Sequence, residues 1–212
     1  MQRKSRLTLV MMAILLAFGT MGIQPAKPVL AANPIRISQA YGGGGNSGAT
    51  YTNDFIELYN SSNTPVNLAG WSVQYTSATG TTWQVTPLTG SIPANSYYLI
   101  QEAAGTGGTT PLPTPDATGA IMMGASNFKV ALANSTTAFT TACPTGAVDF
   151  VGAGTANCYE GAAAAPAPGN TTAAIRRESG CKDTDYNLAD FQALPPTPRN
   201  TASPAYVCPV GD

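Results

Sequence analysis

Asp183, Asp185, Asn187 and Asp190 put four oxygen-bearing side chains within eight positions. Ca²⁺ takes oxygen ligands of this kind. The run starts like an EF-hand loop, but Leu188 stands where that loop needs glycine and Leu194 where it needs a bidentate glutamate. The same side chains also suit Asx turns and the cap of a short helical turn, where they accept bonds from backbone N–H groups. A structural Ca²⁺ is one expectation for this cluster, and a purely local structural role is the other. No prosthetic cofactor is expected.

Other residue types narrow the chemistry further. The 212 residues include no histidine. That excludes Ser-His-Asp and Cys-His catalysis, His-ligated metal centres and the usual general base near neutral pH. Asp54 and Glu57 lie three apart in a strand-like run, so their side chains point to opposite faces and cannot pair as acid and base. Glu57, if inward, is expected to pair with an arginine, for which Arg176 and Arg177 are candidates, or with backbone donors at a sheet edge. Gly42 to Gly45 lacks the Gly-Lys-Ser/Thr of a phosphate-binding loop and reads as a tight or mobile surface loop. Arg176, Arg177, Lys182 and Arg199 fall within 24 positions, interleaved with Glu178, Asp183, Asp185 and Asp190. Local ion pairs are the expectation there. Tyr41, Tyr51, Tyr75 and Trp83 offer an aromatic strip for a sugar or peptide. Trp71 and Tyr75 read as core, which leaves Trp83 and Tyr51 as the better contact residues. No residue is assigned a catalytic role, and the chain is not expected to be an enzyme.

These side chains need a scaffold, and the chain is patterned as strands. Ile35 to Ala40 alternates, as do Asp54 to Asn60 and Trp71 to Tyr75. Thr81 to Val85, Tyr97 to Gln101, Phe128 to Ala133, Ala147 to Val151 and Ile175 to Glu178 add further strand candidates, with Val66 to Leu68 a short one. The run from Asp54 to Asn60 carries apolar side chains on both faces, as a strand covered on both sides does. Residues 103–119 and 162–169 read as irregular, and Asn187 to Phe191 as a helical turn. Seven or more short strands separated by turn signals indicate an all-β sandwich or barrel.

The N-terminus reads as a separate element. Arg3, Lys4 and Arg6 precede an apolar run from Leu7 to Ile23, and small residues follow at Ala31 and Ala32. Residues 1–31 are expected to be a cleaved signal peptide, with an uncleaved anchor as the alternative. Residues 32–212 then form a single secreted, extracellular domain. Its six basic and eleven acidic residues argue against strong non-specific nucleic-acid binding. Four cysteines, Cys143, Cys158, Cys181 and Cys208, suit two disulfides in a secreted chain, with three pairings open. The nearest-neighbour pairing is favoured, and a zinc site is the alternative.

Several of these segments together resemble a known family. They are Ile35-Arg36-Ile37-Ser38-Gln39, the loop Tyr41 to Gly48, Asp54-Phe55-Ile56-Glu57-Leu58-Tyr59-Asn60 and Leu68-Ala69-Gly70-Trp71-Ser72-Val73. Ile92-Pro93 to Ile100, Lys129 to Leu132, Asp183 to Phe191 and Pro196 to Asn200 continue the likeness. The chain resembles the lamin tail domain in its bacterial secreted form. The resemblance implies an immunoglobulin-like β-sandwich acting as a non-catalytic binding or interaction module. Its partner would be an extracellular protein, a glycan or an enzyme. Bacterial relatives often accompany secreted nuclease or phosphoesterase domains, so an accessory role beside such an enzyme on a separate chain is the alternative. About a dozen residues follow Asn200. They leave no room for a catalytic domain, so the scaffold itself is expected to carry the function.

Overall fold

The computed structural model describes residues 33–209. The expected signal peptide at residues 1–31 lies outside them. Twelve strands follow one another: β1 (Ile35–Tyr41), β2 (Asn53–Asn60), β3 (Val66–Asn67), β4 (Ser72–Ser77), β5 (Gln84–Pro87), β6 (Ser91–Ile92), β7 (Tyr97–Ala104), β8 (Ala117–Thr118), β9 (Phe128–Ala133), β10 (Asp149–Ala153), β11 (Ala173–Arg176) and β12 (Phe191–Leu194). One helical turn, α1 (Asn187–Asp190), leads directly into β12.

The strands form a six-stranded sheet in the order β12-β11-β1-β2-β7-β8, a four-stranded sheet in the order β10-β9-β4-β5, and the small pair β3-β6. Pairings between these strands are antiparallel except β7 with β8, and isolated parallel bridges join Tyr51 to Thr110 and Ala153 to Ala165. The main core lies between the two larger sheets. Ile35, Ile37, Ile56, Leu58, Tyr98 and Ile100 come from one sheet, and Val73, Phe128, Val130, Leu132 and Val151 from the other. This is the expected all-β sandwich, and it follows from period-2 alternation with each apolar set facing its counterpart. A register shift between Ile37 and Gln39 in β1 turns Ala40 inward and Tyr41 outward.

The outer faces are also covered. On the six-stranded sheet, Tyr41, Phe55, Leu99 and Ala173 form a second cluster with Tyr51 and Leu112. On the four-stranded sheet, Trp83, Ala131 and Phe150 pack with Phe139 and Cys158. The cysteines pair as nearest neighbours, Cys143 with Cys158 and Cys181 with Cys208. The first bridge fastens the loop that covers the four-stranded sheet. The second fastens the C-terminal segment across the six-stranded sheet.

Several details depart from the sequence expectation: the strand expected at Ala147 to Val151 is Asp149–Ala153, the stretch 103–119 expected to be irregular includes the end of β7 and all of β8, and Phe191 begins β12 rather than ending the helical turn. The strand expected at Ile175 to Glu178 lies two residues earlier and is not the last, because β12 pairs with it through Ala174↔Ala193 and Ile175↔Gln192. The partner of β4 runs from Gln84 to Pro87 rather than from Thr81. Asn60 explains the turn after β2. Its Nδ2 donates to the carbonyls of Thr64, Ile92 and Pro93, and its Oδ1 accepts from Ser62.

Candidate functional site

The acidic cluster is put to several uses rather than one. Asp190 is buried, and its carboxylate accepts from the Thr184 amide at 2.8 Å, the Thr184 hydroxyl at 2.7 Å and the Tyr186 amide at 3.2 Å. Asn187 accepts from the Gly152 amide at 2.8 Å and donates to the Phe150 carbonyl at 3.0 Å, which ties α1 to β10. Asp183 accepts from Arg176 Nη1 at 3.0 Å. Asp185 is exposed at a turn with φ 51°. Among the described residues, no group of three or more acidic, cysteine or histidine side chains converges to hold an ion. The expected Asx turns and side-chain cap are not what these residues form: Asp190 accepts from residues that precede it, Asn187 bonds across the fold to β10 and Asp183 to Arg176, and the N-cap of α1 is Tyr186, with no side-chain cap bond.

Arg176 organises the next shell. Its side chain is fully buried, with Nη2 2.7 and 2.8 Å from the two Asp149 oxygens, Nε on the Ile37 carbonyl and Nη1 on the Lys182 carbonyl. The guanidinium lies 4.5 Å over the Phe191 ring. Burial would lower its pKa, but Asp149 and Asp183 together raise it, so the charge is locked in place. Glu160 sits beside this centre. Burial first, and then Asp149, push its carboxyl up to about 8.

Glu57 does not pair with Arg176 or Arg177. It lies on the outer face, and Arg199 reaches it from the C-terminal segment with Nη2 to Oε1 at 2.7 Å. Ser38 Oγ, Gln39 Nε2 and the Arg199 amide also donate to its carboxylate. The Arg199 guanidinium lies 3.6 Å from the Tyr97 ring centroid. Burial still raises the Glu57 pKa in spite of Arg199. Arg177 faces solvent and donates to Gln192. Of the four clustered basic residues, Arg176 makes the expected local pair with Asp183, and Arg199 reaches a partner 142 positions away.

Trp83 is core rather than a contact residue. It is buried, donates to the Thr141 carbonyl at 2.8 Å and meets Phe139 edge-on at 5.7 Å. Polar neighbours in sequence concealed this, since the covering loop arrives from residues 139–142. Tyr51 is half-buried, edge-on to both Tyr41 and Phe55. The Gly42 to Gly45 loop is tight: a Cβ on Gly44 would fall 1.9 Å from the Asn53 backbone. Lys129, which sequence reasoning missed, is buried on the outer face of β9. Its ammonium donates to the carbonyls of Gly80 and Ala142 and to Asn157 Oδ1.

Two further buried carboxylates, Asp54 and Glu102, take hold of a loop. Asp54 Oδ2 accepts from the Met123 amide at 2.8 Å, and Glu102 Oε2 from the Ile121 amide at 2.9 Å. No nucleophile with an adjacent base emerges from any of these groups. The open grooves differ in charge: one of about 400 Å³ beside β11 and β12 is lined by Arg176, Glu178 and Arg199, and two others are neutral. One of these two, of about 640 Å³, is lined by Thr76, Ser77, Thr79, Thr81, Thr82 and Gln84, with exposed Met122 at its rim. Another of about 400 Å³ is lined by Asn134, Ser135, Thr137 and Thr140 among others. Neither lining contains a charged side chain.

The family model described as Lamin Tail Domain matches residues 28–154. The match stops short of the likeness read from sequence, which ran to Asn200, although β11 and β12 complete the same sheet. No curated protein matches the chain. Among solved structures, a DUF4876 family protein from Bacteroides thetaiotaomicron shares the fold, with a TM-score of 0.52 and 13% identity. The alignment covers 83% of this chain and 74% of that one.

Proposed function

The chain belongs to the lamin tail domain family, and on that premise we propose that it is a secreted, non-catalytic recognition module for a neutral polar ligand, a glycan or an uncharged peptide surface. The observation that carries this reading is the split between charged and neutral groups. Buried charged side chains hold the scaffold together, while two of the open grooves, beside the four-stranded sheet, present hydroxyl and amide groups and no charged side chain. Neutral hydrogen-bonding linings suit ligands that carry hydroxyl and amide groups. The two disulfides suit an oxidising compartment, and no helix among the described residues is long and apolar enough to cross a membrane.

Calorimetric titration of the purified protein with neutral oligosaccharides tests the reading. Binding that weakens at least tenfold in Gln84→Ala supports it. Nuclease and phosphatase assays with Ca²⁺, Mg²⁺ or EDTA should show no turnover. Metal-dependent turnover lost in Asp185→Ala would overturn it.

A further inference from the structure

The loop from Gly119 to Gly124 closes one end of the sandwich, and three strands hold its backbone. Glu102 of β7 accepts from the Ile121 amide at 2.9 Å, Asp54 of β2 from the Met123 amide at 2.8 Å and the Tyr75 hydroxyl of β4 from the Gly124 amide at 2.8 Å. The three anchors come from both main sheets. Ile121 and Met123 point into the core at 3% and 7% exposure, while Met122 between them is 76% exposed. The fit is close: a Cβ on Gly119 would lie 2.2 Å from Glu102 Oε2 and 2.3 Å from Thr86 Oγ1.

The two carboxyls of this clasp are 4% and 1% exposed, and each keeps one oxygen, Asp54 Oδ1 and Glu102 Oε1, without a hydrogen-bond donor. Among the described residues no ion pair reaches either one. The other titratable groups facing Asp54 are Tyr75 from β4 and Tyr41 from β1, neither of them cationic. Thr86 of β5 faces Glu102. Two like charges at adjacent buried positions without a counter-charge are too costly to keep. A proton on either carboxyl removes that charge from the buried pair.

We propose that Asp54 and Glu102 form a proton-held clasp: protonated, it keeps Gly119–Gly124 seated as a plug, and when both carboxyls ionise the plug opens to hydrate them. Burial, first of the causes, pushes the Asp54 carboxyl up to about 7 and raises that of Glu102 as well, so the clasp is still protonated in mild acid, where free carboxyls are ionised.

Adjacent methionines provide the test. Met122 is open to hydrogen peroxide in either state, whereas Met123 is reached only when the plug lifts. Oxidation of the two residues in the full chain is followed by peptide mass spectrometry between pH 5 and pH 9. The ratio of Met123 to Met122 oxidation should rise at least tenfold across that range. In Asp54→Asn and in Glu102→Gln it should stay near its acid value, with a cooperative thermal melt confirming that each variant is folded. A ratio independent of pH in the wild type, or one that still rises in a folded variant, overturns the clasp. So does protection of Met123 by millimolar Ca²⁺ at pH 9, because a cation would then be the missing charge.

Discussion

Arg176 and Arg177 are neighbours in sequence with opposite fates. Arg176 is enclosed by Asp149, Asp183 and two carbonyls, and Arg177 extends into solvent. Removing one partner of a buried pair leaves the others charged and desolvated, at a cost of about 3–5 kcal/mol. Arg176→Ala should lose that much in denaturant unfolding, and Arg177→Ala less than about 0.5 kcal/mol. Equal losses for the two would contradict this account of the buried centre. The same logic applies to the acidic cluster. With the oxygens of Asp183 and Asp190 already accepting from Arg176, Thr184 and Tyr186, little remains to bind an ion. Millimolar Ca²⁺ should leave the melting temperature where EDTA leaves it, and a clear rise would restore a cation at this place.

At the scale of elements, the sandwich is covered on both outer faces, and a disulfide fastens each cover. Gln39 exchanges two bonds with the backbone of Thr197, Glu57 grips Arg199, Asp116 holds Thr201, and Cys181–Cys208 closes the far end. A bridge spanning 27 residues restricts the unfolded chain by about 3.5 kcal/mol. The double variant Cys181→Ser with Cys208→Ser should lose about 2–4 kcal/mol. Amide exchange should speed up in residues 195–208 while β1, β2 and β7 stay protected. Uniform loss of protection would mean that the strap is integral to the sheets rather than laid on them. The strands β1, β2, β4, β7 and β9 were legible in the sequence because they are long enough to show alternation. The strand β12 was not, since four residues directly after a helical turn carry no period of their own. The Glu57–Arg199 pair was equally hidden. It depends on where the strap crosses β2, a tertiary outcome that no local spacing encodes. Trp83 misled for a related reason: its burial comes from a loop more than fifty residues downstream.

For the whole molecule, the raised carboxyls set the direction in which pH acts. Asp54 moves from 3.8 to about 7 and Glu160 from 4.5 to about 8, each chiefly through burial. The folded-state values lie above the unfolded ones. Between about pH 4 and pH 7–8 the folded chain therefore binds protons that the unfolded chain has released. Their contribution is complete below about pH 4, declines across that window and is gone once pH has risen through the folded values. Each group is worth on the order of 1.4 kcal/mol for every pH unit crossed in that window. Unfolding by urea should accordingly give a higher midpoint at pH 5 than at pH 8. Asp54→Asn should flatten part of the slope, and Glu160→Gln a separate part, because the two lie at different places in the fold. A midpoint that climbs from pH 5 to pH 8 would show that both carboxyls are ionised in the folded protein, each with a counter-charge of its own.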